Sequence, residues 1–151
     1  MKKYLLLLIG ILFSSCYTTY KIIPKTHSYT ENISFTIDKI EEGESIATGN
    51  GSYNATRGNK FVFVYITFVN NSDQKQELNF DNFNLLNPRT KTKHKAEWAM
   101  VVGPINMFGK IDSYISKGNE KKRKLVYVFP EDDKANMLMV NDKIIELKYV
   151  N

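Results

Sequence analysis

The run 61–69, Phe-Val-Phe-Val-Tyr-Ile-Thr-Phe-Val, limits the fold more than any other stretch of this chain. Nine successive β-branched and aromatic residues suit a pleated strand, where such side chains pack well against their neighbours. Both faces of the run are apolar, so periodicity alone does not separate it from a buried helix. Residue type does, in favour of a strand. Asn70-Asn71-Ser72-Asp73 follows with turn chemistry. Val62, Val64, Ile66 and Phe68 form the more aliphatic face, which is assigned to the core. Phe61, Phe63, Tyr65 and Thr67 form the other face, which a sandwich normally leaves polar. Either a neighbouring segment such as 41–59 covers that face, or it is an open protein-binding surface centred on Phe63 and Tyr65.

The rest of the chain repeats the strand signal. Residues 33–40 alternate, with Ile33, Phe35 and Ile37 against Ser34, Thr36 and Asp38. Residues 41–59 are polar and glycine-bearing and read as a long loop, with a short strand near 52–55. Residues 76–87 carry Leu78, Phe80, Phe83, Leu85 and Leu86, with a break at Asp81-Asn82. Residues 92–100 alternate again, placing His94, Ala96 and Trp98 on one side, and Trp98 is expected to be mostly buried. Residues 120–129 form a second strong strand that Pro130 ends, and 137–149 reads as a hairpin across Asn141-Asp142. No segment sustains a 3.6-residue apolar period. Seven or eight short antiparallel strands separated by turns predict an all-β sandwich over residues 33–151.

The first sixteen residues have a different character. Lys2 and Lys3 precede an apolar run over 4–13, and Ser14, Ser15 and Cys16 follow. Ten apolar residues fit a signal h-region and fall short of the roughly 20 needed to span a bilayer. The stretch resembles a lipoprotein signal peptide, with Phe13-Ser14-Ser15-Cys16 standing where that family has Leu, small residues and Cys. The resemblance implies cleavage after residue 15 and lipidation of Cys16, with diacylglyceryl on sulfur and often an N-linked acyl chain such as palmitate. An ordinary secretory signal and a buried N-terminal helix are the alternatives. The chain has one cysteine, which excludes an internal disulfide and a cysteine-based metal site. Residues 16–32 are polar, rich in Tyr and Thr, and read as a tether of up to about 50 Å. No acidic cluster follows Cys16 and no Asp adjoins it. The expected location is therefore the cell envelope, lipid-anchored, with the periplasmic face of an outer membrane preferred over the inner membrane or cell surface.

Without Lys2 and Lys3 the chain has 19 basic and 16 acidic residues, a net charge of +3. That is too mild for a nucleic-acid-binding face. His27 falls in the tether and His94 on a strand, and no nucleophile-elbow signature accompanies either. Glu131, Asp132 and Asp133 lack the alternating spacing of a calcium loop and read as a solvated turn. Lys121-Lys122-Arg123-Lys124 is either a charged strand start or a patch for anionic head groups. The expectation is a chain with no catalytic residue, no metal, no cofactor and no evident small-molecule substrate.

Residues 58–73 resemble the central strand and turn of an immunoglobulin-like domain family. That family is found in secreted bacterial lipoproteins and in the mycobacterial immunoprotective extracellular antigen. Phe83-Asn84-Leu85 and Leu125-Val126-Tyr127-Val128-Phe129-Pro130 fit its later elements, and Pro88-Arg89 stands where it has a glycine turn. The resemblance covers roughly 33–149 and implies an immunoglobulin-like sandwich. It carries over no catalytic residue. The expected function is a non-enzymatic binding or accessory domain held at the membrane through Cys16, with an envelope protein as partner. The alternatives are a structural part of an envelope assembly and a hydrolase with an unrecognised site.

Overall fold

The 61–69 run is a strand and sits near the middle of a seven-stranded sheet. The structure, a computed structural model, describes residues 17–48, 51–103 and 113–150. The leader 1–15 and Cys16 lie outside the described residues. Fifteen strands are present among them: β1 (Thr18–Ile22), β2 (Thr26–Ser28), β3 (Ile33–Gly43), β4 (Ser45–Thr48), β5 (Gly51–Asn54), β6 (Asn59–Asn70), β7 (Gln76–Glu77), β8 (Phe83–Leu86), β9 (Lys93–Lys95), β10 (Trp98–Val101), β11 (Tyr114–Ile115), β12 (Glu120–Pro130), β13 (Met137–Val140), β14 (Lys143–Glu146) and β15 (Tyr149–Val150). The count exceeds the expected seven or eight because short pairings flank three long strands, β3, β6 and β12.

The large sheet runs β10-β12-β6-β3-β1-β15, with β2 also on β3; the small sheet runs β14-β13-β8-β9. All pairings are antiparallel. The two sheets close as a β-sandwich over one main core, to which Ile37 and Ile40 of β3, Val64, Ile66 and Phe68 of β6, Leu125 and Tyr127 of β12, Phe83 and Leu85 of β8, and Leu138 of β13 contribute. The aliphatic face of 61–69 is thus the inner one, as its residue types predict. Tyr127 is fully buried, and its hydroxyl donates to the Phe83 carbonyl at 3.0 Å, linking the two layers. Burial pushes this phenol's pKa well above its ordinary value.

Three expectations need correction. Within the expected tether 16–32, the described residues 17–32 are not free. Thr18–Ile22 pairs with β3 on one side and β15 on the other, and Thr26–Ser28 pairs with β3. Edge strands draw on backbone hydrogen bonds and need few buried side chains. Here Ile22 is buried, and half-buried Tyr20 stacks on Tyr149 at 4.8 Å. The expected loop 41–59 is instead the end of β3 followed by the hairpin β4–β5. Its one large aliphatic residue, Ile46, is fully buried. The alternation over 92–100 is also not one strand. β9 belongs to the small sheet and β10 to the large one, so the chain changes layers across Ala96-Glu97.

The predicted hairpin at Asn141-Asp142 is present, with φ of 47° and 64° at those two residues. Two left-handed residues make the type I′ turn that matches strand twist, and its second position favours glycine. Asn141 should stay, because its Nδ2 donates to the Tyr29 carbonyl at 2.9 Å. Asp142 gives only a 3.5 Å ion pair to Lys93 with both side chains largely exposed, which contributes little. Asp142→Gly is therefore expected to stabilise the fold by about 0.5 kcal/mol. A higher urea midpoint checks this, and a lower one refutes it.

Candidate functional site

The outer face of the large sheet has two halves with different fates. Near the start of β6, Phe61 and Phe63 are joined by Val126 of β12 and Met100 of β10 and capped by Ile46 of β4 in a second apolar cluster. Tyr17 completes the cap. Its ring meets Phe63 edge-on at 5.4 Å and its hydroxyl donates to the Ser45 carbonyl at 2.8 Å. Gly43 allows this approach, since a Cβ there would lie 2.5 Å from the Tyr17 ring. Phe63 is only 2% exposed, so this half is covered rather than an open surface centred on Phe63. Trp98 belongs to the same cap and is half-buried, not deep in the main core.

Tyr65 stands where the cover ends. It is half-buried, and its hydroxyl donates to Glu41 Oε2 at 2.6 Å. Lys39 Nζ is 2.5 Å from Glu41 Oε1 and lies over the Tyr65 ring, 4.3 Å from its centroid. Lys124 Nζ approaches the Phe63 and Tyr65 rings at 5.4 and 5.9 Å. Burial pushes the Tyr65 phenol upward in pKa, and its bond to the carboxylate adds to this. Burial also lowers the Lys124 ammonium, an effect the Glu41 charge opposes.

Beyond Tyr65 no described segment covers the outer face. A cleft of about 610 Å³ lies there, with Tyr65, Ile22, Pro24, Val102 and Val150 in its lining. Thr19 and Lys21 of β1, Asp38 and Lys39 of β3, and Lys122 of β12 line its sides. A register shift between Ile37 and Lys39 bulges β3 at Asp38, whose carboxylate accepts from the Thr67 hydroxyl at 2.8 Å. The volume is in the range of small-molecule pockets. A smaller cavity of about 440 Å³ lies at the sandwich edge between Ile22, Lys25, His27 and residues 144–148.

The other sequence-predicted positions are dispersed. His27, expected in the tether, sits in β2 and stacks on Phe35, with its pKa lowered by burial and by Lys25. The His94 ring packs on Phe129 at 4.8 Å, and its Nδ1 lies 3.1 Å from the Val128 carbonyl. A carbonyl only accepts, so that nitrogen carries the hydrogen. Neither histidine meets a carboxylate among the described residues. The 131–133 turn is solvated at Glu131 and Asp132, but Asp133 is buried. Asn87 Nδ2 donates to it at 2.6 Å and Arg89 reaches it at 2.9 Å. These contacts, the Asn87 hydrogen bond first, hold its carboxyl below the ordinary range. Asp133 thereby pins the 87–92 turn. The basic run splits by strand parity: Arg123 is buried towards the inner layer, while Lys122 and Lys124 face the outer side. Among the described residues no three His, Cys, Asp or Glu side chains converge to hold a metal, and no helix is long and apolar enough to cross a membrane.

Glu41 ties three strands together and sets a pH dependence. Burial alone would raise its carboxyl, but hydrogen bonds from Lys39 and Tyr65 win and its pKa lies below 4.5. The folded value is depressed, so its contribution is fully present above about pH 4.5 and is lost as pH falls through the folded pKa. Glu41→Gln should lower stability at neutral pH and flatten the acid limb of a stability–pH curve. Parallel acid limbs for variant and wild type would refute this.

Fold and cleft together define a two-layer antiparallel β-sandwich that shows, among its described residues, a cleft of mixed apolar and charged lining on the outer sheet face. The pattern of a family described as a domain of unknown function, DUF4352, matches residues 27–148, and the chain belongs to that family. Solved structures share the fold. A conserved hypothetical protein from Bacillus anthracis is 16% identical, with a TM-score of 0.65 over 87% of this chain and 96% of its own. An uncharacterised β-sandwich protein from Clostridium difficile is 14% identical, with a TM-score of 0.52 over 78% of this chain and 82% of its own. A functionally unknown protein from Listeria monocytogenes is 12% identical, with a TM-score of 0.50 over 78% and 68%. No curated protein matches the sequence.

Proposed function

We propose that this chain is a lipid-anchored protein of the cell envelope whose sandwich is a non-enzymatic binding or accessory domain. The observation that carries the reading is positional: the chain's one cysteine ends a basic-then-apolar leader, and the folded strands begin two residues later, at Thr18. A cysteine placed by chance would have no reason to fall on that boundary. What supports binding over catalysis is the cleft beside Tyr65, whose described lining offers apolar and charged side chains but no serine, cysteine or histidine. Kinship with the mycobacterial immunoprotective antigen, and a place outside the cytoplasm on the periplasmic face of an outer membrane, belong to the same proposal. Detergent phase partition tests the anchor. Mature protein from cells should enter the detergent phase, and recovery in the aqueous phase overturns the reading.

A further inference from the structure

We infer that the outer face of the large sheet docks on an anionic bilayer, so that lipid on Cys16 holds the domain flat against the membrane. The inference rests on the lipid-anchor reading above. Its first support is reach. Tyr17 is fixed by Phe63 and Ser45, and Thr18 pairs with Glu42. Cys16 is one peptide unit away, about 3.8 Å between Cα atoms. An anchor there leaves no slack, so some surface of the domain must meet the head groups. The second support is which surface. The Tyr17 ring packs on Phe63 of the outer face, so the residue bonded to Cys16 adjoins that face.

The third support is charge. Lys21, Lys39 and Lys122 line the same cleft from three strands, against the one described lining carboxylate, Asp38, which accepts from the Thr67 hydroxyl. Lys21 and Lys39 are directly opposed across β1 and β3, an arrangement that is destabilising for like charges unless an anion lies between them. Lys39 has Glu41, but Lys21 has no carboxylate partner among the described residues, and Lys122 reaches Glu120 only at 3.9 Å. Exposed apolar groups lie beside them: Val150 at the cleft edge is 50% exposed, and Tyr53 on the covering hairpin is 57% exposed. Lysines interspersed with aliphatic and tyrosine side chains suit the head-group layer, where each lysine is worth about a fivefold gain in bound population on an anionic surface.

The test uses the mature acylated protein in phosphatidylcholine vesicles with and without phosphatidylglycerol. Fluorophores are placed through Val150→Cys on the outer face and, separately, through Lys95→Cys on the far side of the small sheet. The thioether of acylated Cys16 does not react with the label. Lipids carrying a head-group quencher should quench the 150 probe in anionic vesicles and not the 95 probe. K21E/K122E, both at exposed positions, should lower the docked-to-undocked ratio at least tenfold while the lipid keeps the protein on the vesicle. Equal quenching at 150 and 95, or quenching at 150 that ignores vesicle charge and the double variant, overturns the inference. So does protection of 150 in native envelopes but not in pure lipid, which would assign the face to a protein partner. The mass of the N-terminal peptide separates the two readings: no acyl group removes the anchor and the inference with it, whereas acylation without charge-dependent quenching removes the inference alone.

Discussion

Cys16→Ser is expected to abolish fatty-acid labelling of the protein in cells and to leave the fifteen-residue leader attached. The transfer that the leader's resemblance implies forms a thioether, and a serine hydroxyl offers no sulfur for it. A signal peptidase that recognises the lipidated residue then has no substrate. The effect on membrane affinity of the mature form is large. Each buried methylene contributes about 0.8 kcal/mol, and one acyl chain holds a protein reversibly while two or three hold it firmly. The uncleaved variant still carries the apolar run 4–13, so fractionation alone does not discriminate, whereas acyl label and chain mass do. The fold should survive, because Tyr17 begins the described structure and its contacts to Phe63 and Ser45 do not involve residue 16. Label that persists unchanged in the variant would remove the lipoprotein reading.

That result bears on what was legible in the sequence. The runs 61–69 and 125–129 announced central strands because tertiary burial on both sides demands apolar residues at every position. The same completeness hid the outcome for the outer face, since a covered face and an exposed interface look alike in one strand. What decided it lies far away in sequence: Tyr17, Ile46 and Met100 come from three separate segments. The first strand looks like tether in sequence because an edge strand is satisfied mostly by backbone pairing. Its signal was the spacing of Tyr20 and Ile22 within a Thr-rich stretch, and two inward side chains are too few for a period to stand out. The layer change at Ala96-Glu97 was invisible because alternation continues through it, although His94 packs against Phe129 in the main core and Trp98 against Phe61 outside it. The cleft was missed for a related reason. Lys21, Lys39 and Lys122 are ordinary solvated lysines in sequence, and only strand register brings them to one face.

The largest loss of stability from a single side chain is expected at Phe83, a residue remote from both the leader and the cleft. It has no exposed surface. Its ring stands edge-on to Phe35 at 5.4 Å and to Phe68 at 5.3 Å, and lies 5.1 Å from Tyr29. These partners belong to β3, to β6 and to the segment after β2, so Phe83 is where the small sheet grips the large one. Its carbonyl also receives the Tyr127 hydroxyl at 3.0 Å. Truncating a buried phenylalanine costs about 3–5 kcal/mol through lost burial and the cavity left behind. Three aromatic contacts place Phe83→Ala towards the upper end. Against a domain stability of about 5–15 kcal/mol, that is enough to populate unfolded chain at growth temperature. Tyr127→Phe keeps the ring and removes only the hydroxyl, leaving the Phe83 carbonyl without its donor, and should cost about 1–3 kcal/mol. The two losses share the Phe83 position, so the double variant should be less damaging than their sum. Urea unfolding of the three variants measures this directly. A Phe83→Ala midpoint no lower than that of Tyr127→Phe would mean that the two sheets are held together elsewhere than through the Phe35–Phe68–Phe83 cluster.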